Sequence, residues 1–440
     1  MKIICCILIG WLAAAVPAAP AAPATGANPP EADTRTAGPV PDPLPLRHAL
    51  ALVIQHNPDL AAAALDARAL EGRVLQAGLK PNPELSTEFE NFAGTGPVGA
   101  VHSLELTVQL AQRLELGGKR PRRVEAAEAE RLEAERDQQV RQADLLAEAA
   151  RGFFEVLSAQ QRLANREELA ALAGKIHATV SDRVSAGKVA PVEETRAAVA
   201  AATARLEVEK TRRDLAAARD RLAALWGSPS AGFQRVDGVF RIPDAPPGAE
   251  LAAPEPARSP DLLRLDAGER ARQSALDREL AERKPDLTLS GGFRYLNEYG
   301  DGALVAGLSI PLTWNDKRQG AVAEARVRLD QARARRRAEE NRLRAALSQS
   351  RQTYEDARQT ALALEQSILP EAWSAFETVQ EGYRQGKIDY LDVLDAQRTW
   401  FELKGRQIEA VAAGFLASVD ILRLTGGILD VPAEAGVPAH

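Results

Sequence analysis

Asn82-Pro83-Glu84-Leu85 and Lys284-Pro285-Asp286-Leu287 lie 202 residues apart, and Asn57-Pro58-Asp59-Leu60 precedes Ser259-Pro260-Asp261-Leu262 by the same distance. Lys119-Arg120 and Lys317-Arg318 are 198 residues apart; Gly187-Lys188 precedes Gly386-Lys387 by 199, as Leu225-Trp226-Gly227 precedes Leu424-Thr425-Gly426. Five landmarks in one order at nearly constant spacing read as a tandem duplication. It divides the chain into repeat 1 (46–242) and repeat 2 (260–427), joined by a Pro/Ala-rich linker (243–259) and followed by a tail (428–440).

Each repeat reads as helix, two strands, long helix, tight turn, helix. The predicted β-hairpins cover 83–113 and 285–313, and the long helical hairpins 119–226 and 318–424. Lys119–Ala186 has only two interior glycines, Gly152 and Gly174. As one helix it would reach roughly 100 Å at about 1.5 Å per residue. Leu169, Leu172, Ile176, Val180 and Val184 give it an apolar stripe. Gly187 supplies a C-terminal stop, and Pro191 opens the return helix where its missing N–H costs nothing. In repeat 2, Pro370 should interrupt the long helix. Leu394, Phe401, Ile408, Phe415 and Leu422 recur every seven residues and demand lateral helix packing.

The four predicted strands alternate with period two. Leu104, Leu106, Val108 and Leu110 share one face, against Ser103, Glu105, Thr107 and Gln109 on the other. Leu304, Ala306, Leu308, Ile310 and Leu312 form a second apolar face; Leu287, Leu289, Phe293 and Tyr295 form a third, and Leu85, Thr87 and Phe89 a weaker fourth. About ten residues is the length of a tilted transmembrane strand. A soluble four-stranded sheet with one wet face fits the alternation equally well. In lipid, four strands cannot close a barrel and open edges are forbidden, so several chains would have to contribute.

Composition narrows the function. Formal net charge is −6 and aromatics make up 5 % of the 440 residues, which suits long helices and gives nucleic acid no basic field. Lys2, the apolar run Ile3–Val16 and the small residues after it have the order of a secretory signal, placed at 1–24, with a Pro/Ala-rich tether at 25–45. Cys5 and Cys6 fall inside that signal, so a mature chain would hold no disulfide and no thiolate metal site. His48, His56, His102, His177 and His440 form no helical pair, so neither a metal site nor a cofactor is expected. The carboxylates lie in Glu/Arg mixtures along helices and suggest solvated faces, not catalysis.

A twofold repeat of helix, β-hairpin and long helical hairpin after a signal resembles the TolC-like outer-membrane efflux proteins. The stretch Glu381–Ala396, EGYRQGKIDYLDVLDA, is similar to that family's second periplasmic turn. Leu114-Glu115-Leu116-Gly117-Gly118-Lys119-Arg120 and the paired Asn-Pro motifs look like the outer-membrane component of Czc- and Cus-type heavy-metal resistance pumps. The resemblance implies a mainly α chain with a pair of membrane β-hairpins. It implies a homotrimer with a 12-stranded barrel in outer-membrane lipid, continued by a long periplasmic barrel of 12 helices. A periplasmic adaptor and an inner-membrane pump of the RND type would be the partners. The expected function is a passive duct, not an enzyme, with heavy-metal cations as cargo. Drug efflux, type I secretion and a poreless periplasmic scaffold are the alternatives.

Site expectations follow from the same resemblance. Asp392 and Asp395 match paired aspartates that would ring a cation-selective entrance. Tyr383 and Glu193 match a polar latch between the two turns, while the family's arginine and its partner fall on Ile388 and Val192. An apolar contact would replace that half of the latch, leaving Tyr383 more important than any basic residue nearby. The turns, with Arg183, Gly187, Lys188, Gly386 and Lys387, are expected to dock the adaptor. Leu104, Leu106, Val108, Leu110, Leu304, Leu308 and Ile310 are expected to face lipid.

Overall fold

The computed structural model describes residues 40–96, 101–246 and 258–430. The predicted signal, most of the tether and most of the tail lie outside the described residues. The chain is mainly helical, and helix–strand–strand–helix–helix occurs twice in order.

The first pass opens with β1 (Leu44–Pro45), α1 (Leu46–His56) and α2 (Pro58–Gly78). The expected single arm is therefore two helices. Pro58 has no N–H to continue α1 and pushes Asn57 into an extended conformation. The Asn57 side chain then caps α2, accepting from the Asp59 N–H at 2.9 Å and the Leu60 N–H at 3.1 Å. Its amide donates to the Leu225 carbonyl at 2.8 Å, tying this break to the far end of the repeat. The last residues of the predicted tether are not free. Leu44 is fully buried, and β1 pairs in parallel with β4 (Val236–Asp237).

Next come β2 (Glu84–Glu90), β3 (Glu105–Leu114), α3 (Lys119–Ser185) and α4 (Pro191–Ala224). The second pass supplies α5 (Pro260–Glu282), β5 (Leu287–Leu296), β6 (Asp301–Ser309), α6 (Gln319–Ala363), α7 (Leu369–Arg384) and α8 (Tyr390–Thr425). Unbroken, α3 runs for 67 residues. Pro121 falls in its first turn, where no intrahelical donor is lost. The second long helix is interrupted where Pro370 predicts. Between α6 and α7, residues Leu364–Ile368 form one π turn, and the Leu369 N–H reaches back five residues to the Leu364 carbonyl. On α8, Phe401, Ile408 and Phe415 are buried, and the Phe415 ring stacks on Phe154 of α3 at 4.4 Å. Arg423 clamps three helices at once, donating to Asp144 on α3 at 2.6 Å and to Asp261 on α5 at 2.7 Å.

The four longer strands form one antiparallel sheet in the order β2-β3-β5-β6. Direct pairing places Phe89, Leu106 and Tyr295 in one row; Thr87, Val108, Phe293 and Leu304 in another; and Leu85, Leu110, Gly291 and Ala306 in a third. That face is apolar and open to its surroundings, with Leu304 90 % exposed. Leu104 and Ile310 lie just outside β3 and β6, so neither belongs to the paired register; the Leu104 carbonyl instead accepts from the Asn297 N–H at 2.9 Å. The opposite face is polar. There Arg294 donates to Thr107 and to Glu105, both at 2.9 Å, and pairs with Glu90 at 3.2 Å. One outer edge of β2 and one of β6 have no strand partner in the sheet.

Gly117 and Gly118 turn the chain from β3 into α3 with φ of 76° and 74°. A Cβ on Gly117 would lie 2.4 Å from the Lys284 side chain, so repeat 2 packs closely here. Asp286 accepts from the Leu116 N–H at 3.2 Å and from the Lys119 ammonium at 2.7 Å.

Candidate functional site: the clasp at the helical turns

The α3–α4 and α7–α8 turns are built alike. The Gly187 N–H bonds the Val184 carbonyl and the Lys188 N–H the Arg183 carbonyl, both at 2.9 Å. Gly386 bonds Tyr383 and Lys387 bonds Gly382 in the same pattern, also at 2.9 Å. Each helix thus ends in paired backbone bonds around a left-handed residue, with φ of 69° at Gly187 and 75° at Gly386. A β-branched side chain is strained there. Gly386→Val should destabilise the turn by about 1–3 kcal/mol, read as a lower melting temperature; an unchanged melting temperature would show that this backbone geometry is dispensable.

Beneath the turns the two hairpins share one apolar cluster: Ile176, Val180, Ala197, Phe376, Tyr383, Tyr390 and Val393. Tyr383 is its polar hinge. The phenol donates to Glu193 Oε2 at 3.1 Å, joining α7 to α4, and its ring lies 5.8 Å from that of Tyr390. Burial, then the hydrogen bond and charge of Glu193, push the Tyr383 phenol up to about 12, with Arg183 opposing. Burial first of all raises Tyr390 likewise, to about 12.

Arg183 changes the expected picture. Its guanidinium lies over the Tyr383 ring, 4.5 Å from the centroid, and donates to the carbonyls of Tyr383 and Arg384. A residue expected to face a docking partner is drawn into a clasp across the two turns. A cation from the opposite turn, and not from position 388, thus meets Tyr383. Ile388 closes on its own turn, where a Cβ on Gly382 would meet it at 2.5 Å. Val192 is 52 % exposed and stands outside the shared cluster, so the apolar contact expected between these two is not part of it. In the 199-residue register Arg183 of repeat 1 is equivalent to Gly382 of repeat 2, which gives no signal of this contact. Asp392 and Asp395 are exposed three residues apart on α8, away from the buried Val393 and Gln397. Lys188 and Lys387 are exposed at the turn tips.

A half-wet sheet continued by long helical hairpins defines a class, and sequence comparison agrees with it. The profile of the outer membrane efflux protein family matches residues 49–228 and 255–427, and the chain belongs to that family. It is 35 % identical over 384 residues to the cobalt-zinc-cadmium resistance protein CzcC of Cupriavidus metallidurans, covering 87 % of this chain and 90 % of that one. The nickel and cobalt resistance protein CnrC of the same organism is 27 % identical over 301 residues, covering 67 % and 70 %. Among solved structures, CusC superposes with a TM-score of 0.73 at 17 % identity, over 86 % of this chain and 91 % of that one. The open-state MtrE outer membrane channel of Neisseria gonorrhoeae gives 0.69 at 17 %, over 87 % and 89 %.

Proposed function

We propose that the protein is the outer-membrane duct of a tripartite efflux system that expels heavy-metal cations. The observation that carries this is the sheet, whose single apolar face ends at two unpaired strand edges. In lipid such edges must be closed, and three copies joined β6 to β2 would close a barrel of 12 strands. The exposed Val192, Val199 and Leu206, spaced by seven along α4, favour the same assembly by offering a neighbouring helix a seam. The metal cargo rests on the similarity to CzcC and CnrC, at 35 % and 27 % identity, both of which are metal resistance proteins. A periplasmic adaptor meeting the turns, an RND-type pump in the inner membrane and no catalytic step complete the assignment. Deleting the gene should lower tolerance of cobalt, zinc and cadmium, and the cloned gene should restore it. Unchanged metal tolerance combined with new drug sensitivity would move the cargo to organic compounds.

Asp392 and Asp395 bring two carboxylates per chain to the tunnel end of α8. Three copies would stack them as two rings that draw cations inward. Asp392→Ala/Asp395→Ala should reduce cation selectivity and weaken block by multivalent cations in planar bilayers. Selectivity and block equal to wild type would remove the rings from the mechanism.

A further inference from the structure

Where the sheet meets the helices, a cavity of about 460 Å³ opens among Lys80, Arg113, Leu114, Glu115, Lys119 and Arg120. Four of these residues are cationic and one is a carboxylate. The charges are not equally committed. Lys119 is buried, bonded to Asp286 at 2.7 Å with Glu282 at 3.8 Å. Glu115 is held by both terminal nitrogens of Arg123, at 2.6 and 3.2 Å. The side chains of Lys80, Arg113 and Arg120 make no hydrogen bond or ion pair among the described residues, and all three residues are exposed, although Arg113 lies in the field of Glu115. Three unspent cations therefore share one cavity with a fourth that is already neutralised.

Its position gives this charge a direction. Leu114 lines the cavity and, as an even-numbered residue of β3, stands on the same face as Leu106, Val108 and Leu110. Lys80 and Arg120 thus lie beside the end of the apolar face, whereas Arg113, an odd-numbered residue of β3, belongs to the polar face. Leu79 and Leu116 add exposed apolar surface beside the cavity residues Lys80 and Glu115. An acyl chain can lie along the leucine column while a phosphate group at its end meets Arg120 and Lys80. Arginine is suited to that contact because its planar donors match phosphate oxygens in pairs.

We infer that this cavity binds the phosphodiester headgroup of an anionic phospholipid in the periplasmic leaflet. The inference rests on the outer-membrane reading above. It gives the strand-to-helix junction a recognition role that neither turn nor lumen supplies.

The test uses the full-length assembled protein, stripped of lipid in detergent and titrated with phosphatidylglycerol or phosphatidylcholine, with bound lipid counted by native mass spectrometry. Basic residues near an anionic lipid surface each change binding by roughly fivefold. Phosphatidylglycerol should therefore bind more tightly than phosphatidylcholine. Arg120→Gln should weaken it roughly fivefold, and the double variant Lys80→Gln/Arg120→Gln roughly 25-fold. Arg120→Lys should keep part of the affinity lost in Arg120→Gln, which separates the charge from the paired donors of the guanidinium. Inorganic phosphate at millimolar concentration should not displace the lipid; full displacement would make this a site for the free anion and overturn the lipid assignment. Unaltered phosphatidylglycerol binding by a double variant that still inserts into vesicles would sink the site and leave the membrane reading standing. Loss of the trimer with lipid retained would assign these cations to the subunit interface. Failure of the wild-type protein to insert into vesicles would remove both readings together.

Discussion

Val108→Arg should abolish recovery of the assembled protein from the outer membrane. Val108 sits mid-strand, in one row with Thr87, Phe293 and Leu304 on the apolar face. Near a bilayer midplane an arginine on a barrel's outer face costs about 2–4 kcal/mol. The proposed trimer would carry the change three times. Leu304→Arg tests the same row from the edge strand β6, where Leu304 is almost fully exposed in the single chain. The matched control is Gln109→Arg, one residue along β3 on the polar face, which should assemble nearly as wild type. The measurement is the yield of heat-resistant trimer in the outer-membrane fraction. Equal yields from Val108→Arg and Gln109→Arg would mean that the apolar face does not meet lipid.

Opening the clasp should have the second largest effect. Tyr383→Phe removes the phenol that donates to Glu193, and Arg183→Ala removes the cation over its ring together with two carbonyl contacts. A hydrogen bond to a charged group contributes about 1.5–3 kcal/mol, and a partly buried cation–π contact about 1–2 kcal/mol. Each variant should raise the resting conductance in planar bilayers, with Arg183→Ala at least as open as Tyr383→Phe. The double variant should fall short of the sum, because both groups act on one ring. The pH dependence has a definite sign. Tyr383 keeps its proton more firmly in the clasp than a free phenol does, so its contribution is complete below the ordinary value of 10 and is lost as pH rises toward about 12. Resting conductance should therefore stay flat through neutral pH and rise only above about 10. Two single variants that conduct as wild type would show that the clasp does not hold the tunnel shut.

Local pattern was the legible part of this fold. Period-two alternation in Leu106–Leu110 and Leu304–Leu308 anticipated one apolar sheet face, and the turn glycines marked both helix reversals. Pro370 announced an interruption, although not that a π turn would absorb it. Leucines that look alike in sequence proved unlike in register. Leu104 and Ile310 continue the alternation on paper, but the ladder stops short of them. The docking of Leu44 against Val236 was hidden because a two-residue strand in a proline-rich stretch carries no periodic signal. The clasp was half visible. Tyr383 and Glu193 could be aligned on the turn glycines, whereas Arg183 reaches a partner 200 residues away, and nothing local reports such a meeting. The cavity cations were visible only as a cluster. Which of them are already neutralised depends on Glu115 and Asp286, and that is a question of three-dimensional distance.

The π turn between α6 and α7 gives the two hairpins different mechanics. One is a strut, continuous through the 67 residues of α3. The other is an arm with an elbow, and its forearm is the 16 residues of α7. That forearm is about 24 Å long at about 1.5 Å per residue. A bend of about 10° at the elbow would carry its tip about 4 Å, more than the length of a hydrogen bond. Arg183 and Glu193 ride on the strut's hairpin and Tyr383 on the forearm, so the clasp spans the pair of parts that the elbow lets separate. A tilt of that size would part the Tyr383–Glu193 hydrogen bond, which is 3.1 Å long.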